Sequence, residues 1–162
     1  SLGVSKVRTA DEYSNALQEA FAVDRKVLVE EALSGREIEC SVLGNDFPEA
    51  ASVLGEIAPV HEFYSYEAKY VDEDGADLIV PAEIDLDVSL NIRQTAVEAF
   101  QVTECRGMAR IDFFLNRDNS FILNEINTLP GFTNISMYPK LWEASGLSYP
   151  ELLERLIELA LE

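Results

Sequence analysis

The chain has 162 residues, of which 48% are apolar, so it can build a hydrophobic core and is not expected to be disordered. Its net charge of −18 argues against nucleic acid as a partner, although a metal and a few local cations could hold a small phosphorylated ligand. No apolar run approaches the roughly 20 residues that span a membrane, so we expect no membrane partner.

The first 57 residues predict strands and one helix. The predicted strands cover residues 4–9, 27–31, 36–44 and 51–57, the last broken near Gly55. The helix covers residues 11–22, with Thr9 or Asp11 as its N-cap, because apolar residues recur there at helical spacing. Residues 36–44 alternate polar and apolar side chains, which is typical of a half-buried strand.

The remaining sequence predicts helices around a pair of strands. Residues 59–82 read as a long polar and aromatic loop, and its acidic run at 72–77 is interpreted as a solvated turn because it lacks EF-hand spacing. Helices are predicted at 87–104, at 138–145 and from Pro150 to Leu161, with a loop at 129–136. The order of elements predicts an α+β fold with a mainly antiparallel sheet flanked by helices.

The pair of strands joined at residues 117–120 carries a polar cluster. Arg110 and Asp112 share a face of the first strand, and Glu125 and Asn127 share a face of the second, because residues two apart on a strand point the same way. A two-residue loop at 118–119, or a four-residue loop, places Asp112 opposite Glu125 and Arg110 opposite Asn127. A three-residue loop would shift the register by one residue and separate the cluster.

The cluster predicts a site for a metal-bound polyphosphate. Two opposed carboxylates repel each other unless a cation lies between them, and oxygen ligands without clustered His or Cys suit Mg²⁺ or Mn²⁺. Arg110 would bind an anion beside the metal. The alternative is an exposed hairpin whose charges form surface ion pairs worth about 0–1 kcal/mol. Since the sequence has neither a P-loop nor a GxGxxG motif, a nucleotide site would be of another kind.

The two cysteines indicate the cellular compartment, and the first residues indicate whether the chain is a whole protein. Cys40 and Cys105 are far apart in sequence and are interpreted as reduced thiols of a cytosolic protein. The chain opens at Ser1 without an initiator Met, in what reads as the end of a Gly/Ser loop, so we expect a fragment of a longer protein.

Taken together, the motifs resemble those of the D-alanine–D-alanine ligases of the ATP-grasp superfamily. They are Arg110-Ile-Asp112, Asn124-Glu-Ile-Asn-Thr-Leu-Pro-Gly131 with Thr133 and Ser136, and the tract Phe63-Tyr-Ser-Tyr-Glu-Ala-Lys-Tyr70. The resemblance runs along the whole chain and implies the back half of such a ligase. Residues 1–33 would end the central ATP-grasp domain, and residues 34–162 would form the C-terminal ATP-grasp domain.

The resemblance implies metal and phosphate roles for the hairpin cluster. Asp112, Glu125 and Asn127 would bind two Mg²⁺ or Mn²⁺ ions, with Glu125 between them. Arg110 would stabilise the transferring phosphoryl group and the tetrahedral intermediate.

The resemblance also implies residues for both substrates. Tyr70 and Ser136 would act at the second alanine, Ser136 by contacting its carboxylate, and Gly131 would line the same site. The implied ATP-binding residues are Glu30, the backbone from Glu31 to Leu33, Glu37, Phe63 and Lys69. By pattern alone, Glu30 and Glu31 would be charges at a strand end and Glu37 an exposed strand residue. Phe63 would be a packing aromatic and Lys69 a solvated loop lysine.

The activity that the resemblance implies is ATP-dependent ligation of two D-alanines, through an acyl phosphate, for peptidoglycan precursor synthesis in the bacterial cytoplasm. The full-length enzyme would be a homodimer, and this chain would be inactive alone. Alternatives are a D-alanine–D-lactate or D-alanine–D-serine ligase, another ATP-grasp carboxylate–amine ligase, and a non-enzymatic acidic metal-binding module.

Overall fold

The computed structural model describes residues 3–59, 76–133 and 135–162. Its internal contacts divide the chain into two compact units, each described separately below. The first unit comprises residues 1–34 and 59–76, and the second comprises residues 35–58 and 77–162. The assignment of residues 1–33 and 34–162 to two ATP-grasp domains stays a prediction.

The first unit contains the predicted helix. Helix α1 (Ala10–Val23) begins after Thr9, whose hydroxyl accepts a hydrogen bond from the Glu12 N–H at 3.4 Å. The Glu12 carboxylate accepts in return from the Thr9 N–H at 3.3 Å, so Thr9 is the N-cap of a capping box.

The strand predictions at residues 4–9 and 27–31 are wrong for the described residues, which form no strand there. Leu28 and Val29 are 76% and 64% exposed. A β-branched run becomes a strand only when a neighbouring strand pairs with it and buries one face, and the described residues offer neither here.

In the described part of the chain, the second unit is built around a six-stranded sheet. Its strands are β1 (Arg36–Gly44), β2 (Glu49–Ala50), β3 (Gly55–Pro59), β4 (Ala76–Ile79), β5 (Gly107–Leu115) and β6 (Phe121–Asn127). The order is β4-β3-β1-β5-β6, and β2 also pairs with β1. The pairs β1–β2, β1–β3, β1–β5 and β5–β6 are antiparallel, which confirms the predicted α+β class.

Two strand boundaries differ from the predictions. The strand predicted at 51–57 begins only at Gly55, as β3, and β2 lies just before the predicted range. Strand β4 lies inside the predicted loop at 59–82. The physical reason is tertiary, since short strands at a sheet edge are specified by the neighbour that pairs with them more than by their own composition.

Among the residues that the structure describes, the second unit also has three helices: α2 (Leu86–Val102), α3 (Met137–Ala144) and α4 (Tyr149–Leu161). Their bounds agree with the predicted helices to within one or two residues. Ser148 and Glu151 form a capping box at the start of α4, next to Pro150. None of the helices in the described ranges combines the length and the apolar character that crossing a membrane requires.

Strand β1 is buried on both faces, whereas its alternating pattern predicted burial of one. The face with Ile38 packs into a core with Ile92, Ala96 and Phe100 of α2, all fully buried. On the opposite face, the Ser41 hydroxyl donates to the Tyr138 carbonyl at 3.2 Å. Helix α3 therefore covers the polar face of the sheet, and the side chains on that face are partly shielded from water.

Candidate functional site

The hairpin between β5 and β6 turns through a three-residue loop, so the predicted two- or four-residue loop is wrong. The Asn116 N–H donates to the Ser120 carbonyl at 2.8 Å, which leaves residues 117–119 as the loop. Asn119 has φ +65, a left-handed conformation that asparagine tolerates better than most residues. This combination is a common three-residue hairpin, and it sets Phe113 opposite Leu123.

A β-bulge corrects the register before the polar cluster begins. Between the pairs Phe113–Leu123 and Asp112–Glu125, strand β6 contains one extra residue, Asn124. Beyond it Asp112 lies opposite Glu125, and Arg110 lies opposite Asn127, as predicted. The loop shifts the strand register by one residue, and the bulge shifts it back. The predicted pairs therefore form, although the loop length that was expected to produce them is different.

Arg110 is held by carboxylates from two strands. Its Nε and Nη2 each donate to one oxygen of Asp112 at 2.8 Å, a bidentate pair. Its Nε also lies 3.3 Å from Oε2 of Glu39, which is opposite Asp112 on β1. The three side chains are only 10–16% exposed. The sequence pattern showed Glu39 only as a polar strand residue, because the pairing of β1 with β5 joins segments that are distant in sequence.

The charges around Arg110 favour a further cation. Burial lowers the pKa of Arg110, but the hydrogen bond to Asp112 and the charges of Glu39, Asp112 and Glu125 outweigh it and hold the pKa above the usual value. The three carboxylates around Arg110 carry two more negative charges than its guanidinium neutralises. A divalent cation would neutralise them.

The donor atoms on this face fit such a cation. Asp112, Glu125 and Asn127 offer oxygen atoms, which suit Mg²⁺ or Mn²⁺ when water and substrate oxygens complete the coordination. The Asn127 side-chain oxygen accepts from the Leu129 N–H at 3.2 Å, which orients the amide. Within the described residues, no group of three or more His, Cys, Asp or Glu side chains is placed to hold a metal ion. The set on this face is two carboxylates and one amide.

The loop that follows β6 brings Gly131 and Ser136 together. The Ser136 hydroxyl accepts from the Thr133 N–H at 2.9 Å, and the Ser136 N–H donates to the Thr133 carbonyl at 3.0 Å. A Cβ added to Gly131 would lie 2.9 Å from the Ser136 oxygen, so this close approach requires glycine. The loop is a tight turn that presents the Ser136 hydroxyl directly before α3.

Phe132 fixes this loop to the neighbouring helices. Its ring centroid lies 5.7 Å from that of Tyr138 and 5.5 Å from that of Tyr149. The Tyr149 hydroxyl donates to the Phe132 carbonyl at 3.0 Å. An open cavity of about 590 Å³ adjoins the loop and is lined by Phe132, Thr133, Pro139, Lys140, Glu143 and Tyr149.

The predicted nucleotide residues are spread over both units. Glu30, Glu31 and Leu33 lie in exposed, irregular backbone of the first unit. Glu37 lies in β1 of the second unit, paired with Phe114, and is half-buried. Phe63, Lys69 and Tyr70 lie outside the described residues.

Comparison with known proteins shows a family match over almost the whole chain. The family model for the D-ala D-ala ligase C-terminus matches residues 1–158. The D-alanine–D-alanine ligases of Oceanobacillus iheyensis and Shouchella clausii are 59% and 57% identical to the chain over all 162 residues. D-alanine–D-alanine ligase A of Escherichia coli is 58% identical. The chain spans 44% of the length of each of these relatives.

Solved structures agree with this match. The D-alanine–D-alanine ligase from Coxiella burnetii superposes with a TM-score of 0.87 at 45% identity, over 99% of this chain and 41% of that one. The VanG D-Ala:D-Ser ligase from Enterococcus faecalis superposes with a TM-score of 0.86 at 35% identity, over 97% of this chain and 45% of that one. By sequence and by fold, the chain belongs to the D-alanine–D-alanine ligase C-terminal family.

Proposed function

We propose that this chain supplies the C-terminal catalytic part of an ATP-dependent D-alanine–D-alanine ligase. The observation that carries the proposal is the polar face of the hairpin, where Arg110 lies among Glu39, Asp112 and Glu125. A partly buried arginine surrounded by an excess of carboxylates is suited to a polyphosphate that arrives with divalent cations. Family membership supports the substrate, since the named relatives are ligases of this kind.

The residues of the face would act by charge and by position. Asp112, Glu125 and Asn127 would hold two ions, with Glu125 between them, and Mg²⁺ or Mn²⁺ there would offset the negative charge of the ATP phosphates. Arg110 would donate to the transferring phosphoryl group and then to the oxyanion of the tetrahedral intermediate, because both develop negative charge in a partly buried site.

The proposed reaction has two steps. The carboxylate of the first D-alanine attacks the γ-phosphorus of ATP, which releases ADP and gives an acyl phosphate. The amine of the second D-alanine then attacks the acyl carbon, so the peptide bond forms, phosphate leaves and the amine loses a proton. Both steps need orientation and exclusion of water, because water would hydrolyse the acyl phosphate.

The remaining roles concern binding. Ser136 would contact the carboxylate of the second D-alanine, Gly131 would line the same site, and Tyr70 would join a hydrogen-bond network near it. The Thr133 N–H already donates to the Ser136 hydroxyl and orients it. The proposed ATP-binding residues are Glu30, Glu31, Leu33, Glu37, Phe63 and Lys69. The product would serve peptidoglycan precursor synthesis in the bacterial cytoplasm, and the complete enzyme would be a homodimer.

The test is product analysis with competing acceptors. The complete ligase that contains this chain, given ATP, Mg²⁺ and an equal mixture of D-alanine, D-serine and D-lactate, should make mainly D-alanyl-D-alanine with one ADP per dipeptide. The relatives that are 57–59% identical over the whole chain are named D-alanine–D-alanine ligases, which supports alanine as the acceptor. A product mixture dominated by serine or lactate would reject the acceptor assignment, and ATP turnover without any ligation product would reject the reaction.

A further inference from the structure

Glu39 is a nearly buried carboxylate in the proposed phosphate site, and the sequence motifs give it no role. The residue is 8% exposed and lies opposite Asp112 in the sheet. Its Oε2 is 3.3 Å from the Nε of Arg110. Because burying a carboxylate is costly, the ion pair with Arg110 offsets part of the lost hydration.

In the proposed function, the Asp112 carboxylate would have two partners. It forms both hydrogen bonds of the bidentate pair with Arg110, and it is also a proposed ligand of a divalent cation. A cation bound to Asp112 would repel the Arg110 guanidinium, since both are positive and the site is partly dry. Arg110 therefore needs a carboxylate that is not itself a metal ligand.

Glu39 meets that need from an independent strand. It belongs to β1, in which every residue from Arg36 to Gly44 pairs with β5. The backbone that carries Glu39 is thus fixed relative to the backbone that carries Arg110. Its side chain reaches Arg110 from the side of β1, whereas Glu125 lies across from Asp112 on the other side of β5.

We infer that Glu39 is a positioning residue that holds Arg110 in place when Asp112 binds a divalent cation. This inference rests on the proposed function. Arg110 would contact the phosphoryl group, and Glu39 would act only through Arg110. The expected cost of losing such an orienting partner is about 10- to 100-fold in activity, by analogy with residues that orient metal ligands.

The test compares Glu39→Gln with a matched control, Glu56→Gln. Glu56 accepts from Arg36 at 2.9 and 2.6 Å, and its side chain is 12% exposed, close to the 10% of Glu39. Glu56 pairs with Ile38, the neighbour of Glu39 in β1, so it points to the opposite face of the sheet. The control removes a comparable carboxylate from an arginine pair outside the proposed site.

The first readout is independent of activity. In the 162-residue chain, the Nε–H resonance of Arg110 in a ¹⁵N-correlated NMR spectrum reports how firmly the guanidinium is held. With saturating Mg²⁺ we expect this proton to exchange with water about 10-fold faster in Glu39→Gln than in the unmodified chain or in Glu56→Gln. Equal exchange in all three would overturn the inference.

The second readout is a double-mutant cycle in the complete ligase. Glu39→Gln should lower kcat about 10-fold or more and leave KM for ATP and D-alanine nearly unchanged, because Arg110 acts on developing charge. Combining it with Arg110→Lys should add little to the loss from Arg110→Lys alone. Losses that multiply would show that Glu39 acts independently of Arg110 and would reject its positioning role.

Two outcomes separate this inference from the proposed function. Suppose that the Arg110 Nε–H exchanges faster in Glu39→Gln while Arg110→Lys ligates normally. The proposed function would then be rejected, but the conclusion that Glu39 holds Arg110 would stand. Unchanged exchange, with a large loss of ligation by Arg110→Lys, would reject the inference alone. If Glu39→Gln does not fold, Glu39→Asp is the second variant. Its shorter side chain keeps the negative charge but places it farther from Arg110, so the Nε–H should exchange faster and kcat should fall by less.

Discussion

At the scale of single residues, Arg110 is the centre of the site. Its bidentate pair with Asp112 requires the planar fork of a guanidinium, which a lysine ammonium does not reproduce. The surrounding carboxylates keep it charged and hold it in one orientation. A preoriented charge loses little free energy to rearrangement when a phosphoryl group arrives, which is why such a residue can contribute to rate.

Replacing Arg110 with Ala in the complete ligase should lower turnover about 100-fold or more, by analogy with loss of an oxyanion donor. The matched control is Arg36→Ala, which removes another partly buried arginine bonded through two nitrogens to one carboxylate, that of Glu56. That control should lose stability and keep turnover. Turnover of Arg110→Ala within a few-fold of the unmodified enzyme would exclude the proposed role.

Glu125→Gln should raise the Mg²⁺ concentration needed for half-maximal activity, because an amide is a weaker ligand than a carboxylate. The same change should weaken Mn²⁺ binding by the 162-residue chain, measured by electron paramagnetic resonance. Glu49→Gln, on an exposed part of the sheet, is the control. Identical Mg²⁺ and Mn²⁺ titrations for Glu125→Gln and the unmodified protein would remove Glu125 from the metal site.

At the scale of elements, the hairpin shows where sequence reasoning succeeds and fails. The alternation on β5 and β6 identified the residues that share a face, because that alternation is a local property of strands. The loop length was not predictable, since Asn116 to Ser120 contains turn-forming residues compatible with two, three or four loop positions. Glu39 was not found because strand pairing between distant segments leaves no local signal.

Strand β3 packs closely against the start of α3, directly after Ser136. A Cβ added to Gly55 would overlap the Met137 sulfur, and Met137 is the first residue of α3. Gly55→Ala should therefore destabilise the protein by about 1–3 kcal/mol, as overpacking of a core does, in urea unfolding monitored by circular dichroism.

Met137→Ala provides the control for that contact. It costs stability by itself, because it leaves a cavity. In the Met137→Ala background, however, the added penalty of Gly55→Ala should shrink toward zero. An undiminished penalty in the double variant would mean that Met137 is not what excludes a side chain at residue 55.

At the scale of the whole molecule, the sequence predicted the second unit better than the first. The core of β1, β5 and α2 forms from elements with clear periodicity, and the structure confirms them. The strands predicted at 4–9 and 27–31 are absent, because pairing decides whether such runs become strands. The relatives are longer than this chain, which spans 44% of their length.

The 162-residue chain alone should make no D-alanyl-D-alanine above background, because the family resemblance implies only the back half of the ligase, which would be inactive alone. Dipeptide formation would be measured by mass spectrometry with ATP, Mg²⁺ and D-alanine. A co-expressed amino-terminal half of a relative is the positive control and should restore synthesis. Dipeptide made by the chain alone would show that it contains both alanine sites.

The extra residue at Asn124 has a consequence for insertions and deletions in this hairpin. If Asn124 were excised, Glu125 would follow Leu123 directly, and regular pairing would still place it opposite Asp112. Removal of Asn124 alone therefore spares the carboxylate pair, whereas insertion of a second residue there would, under the same regular pairing, move Glu125 opposite Arg110 and away from Asp112. Length variation at this point is safe in one direction only, which gives a practical rule for choosing variants of the hairpin and for aligning its relatives.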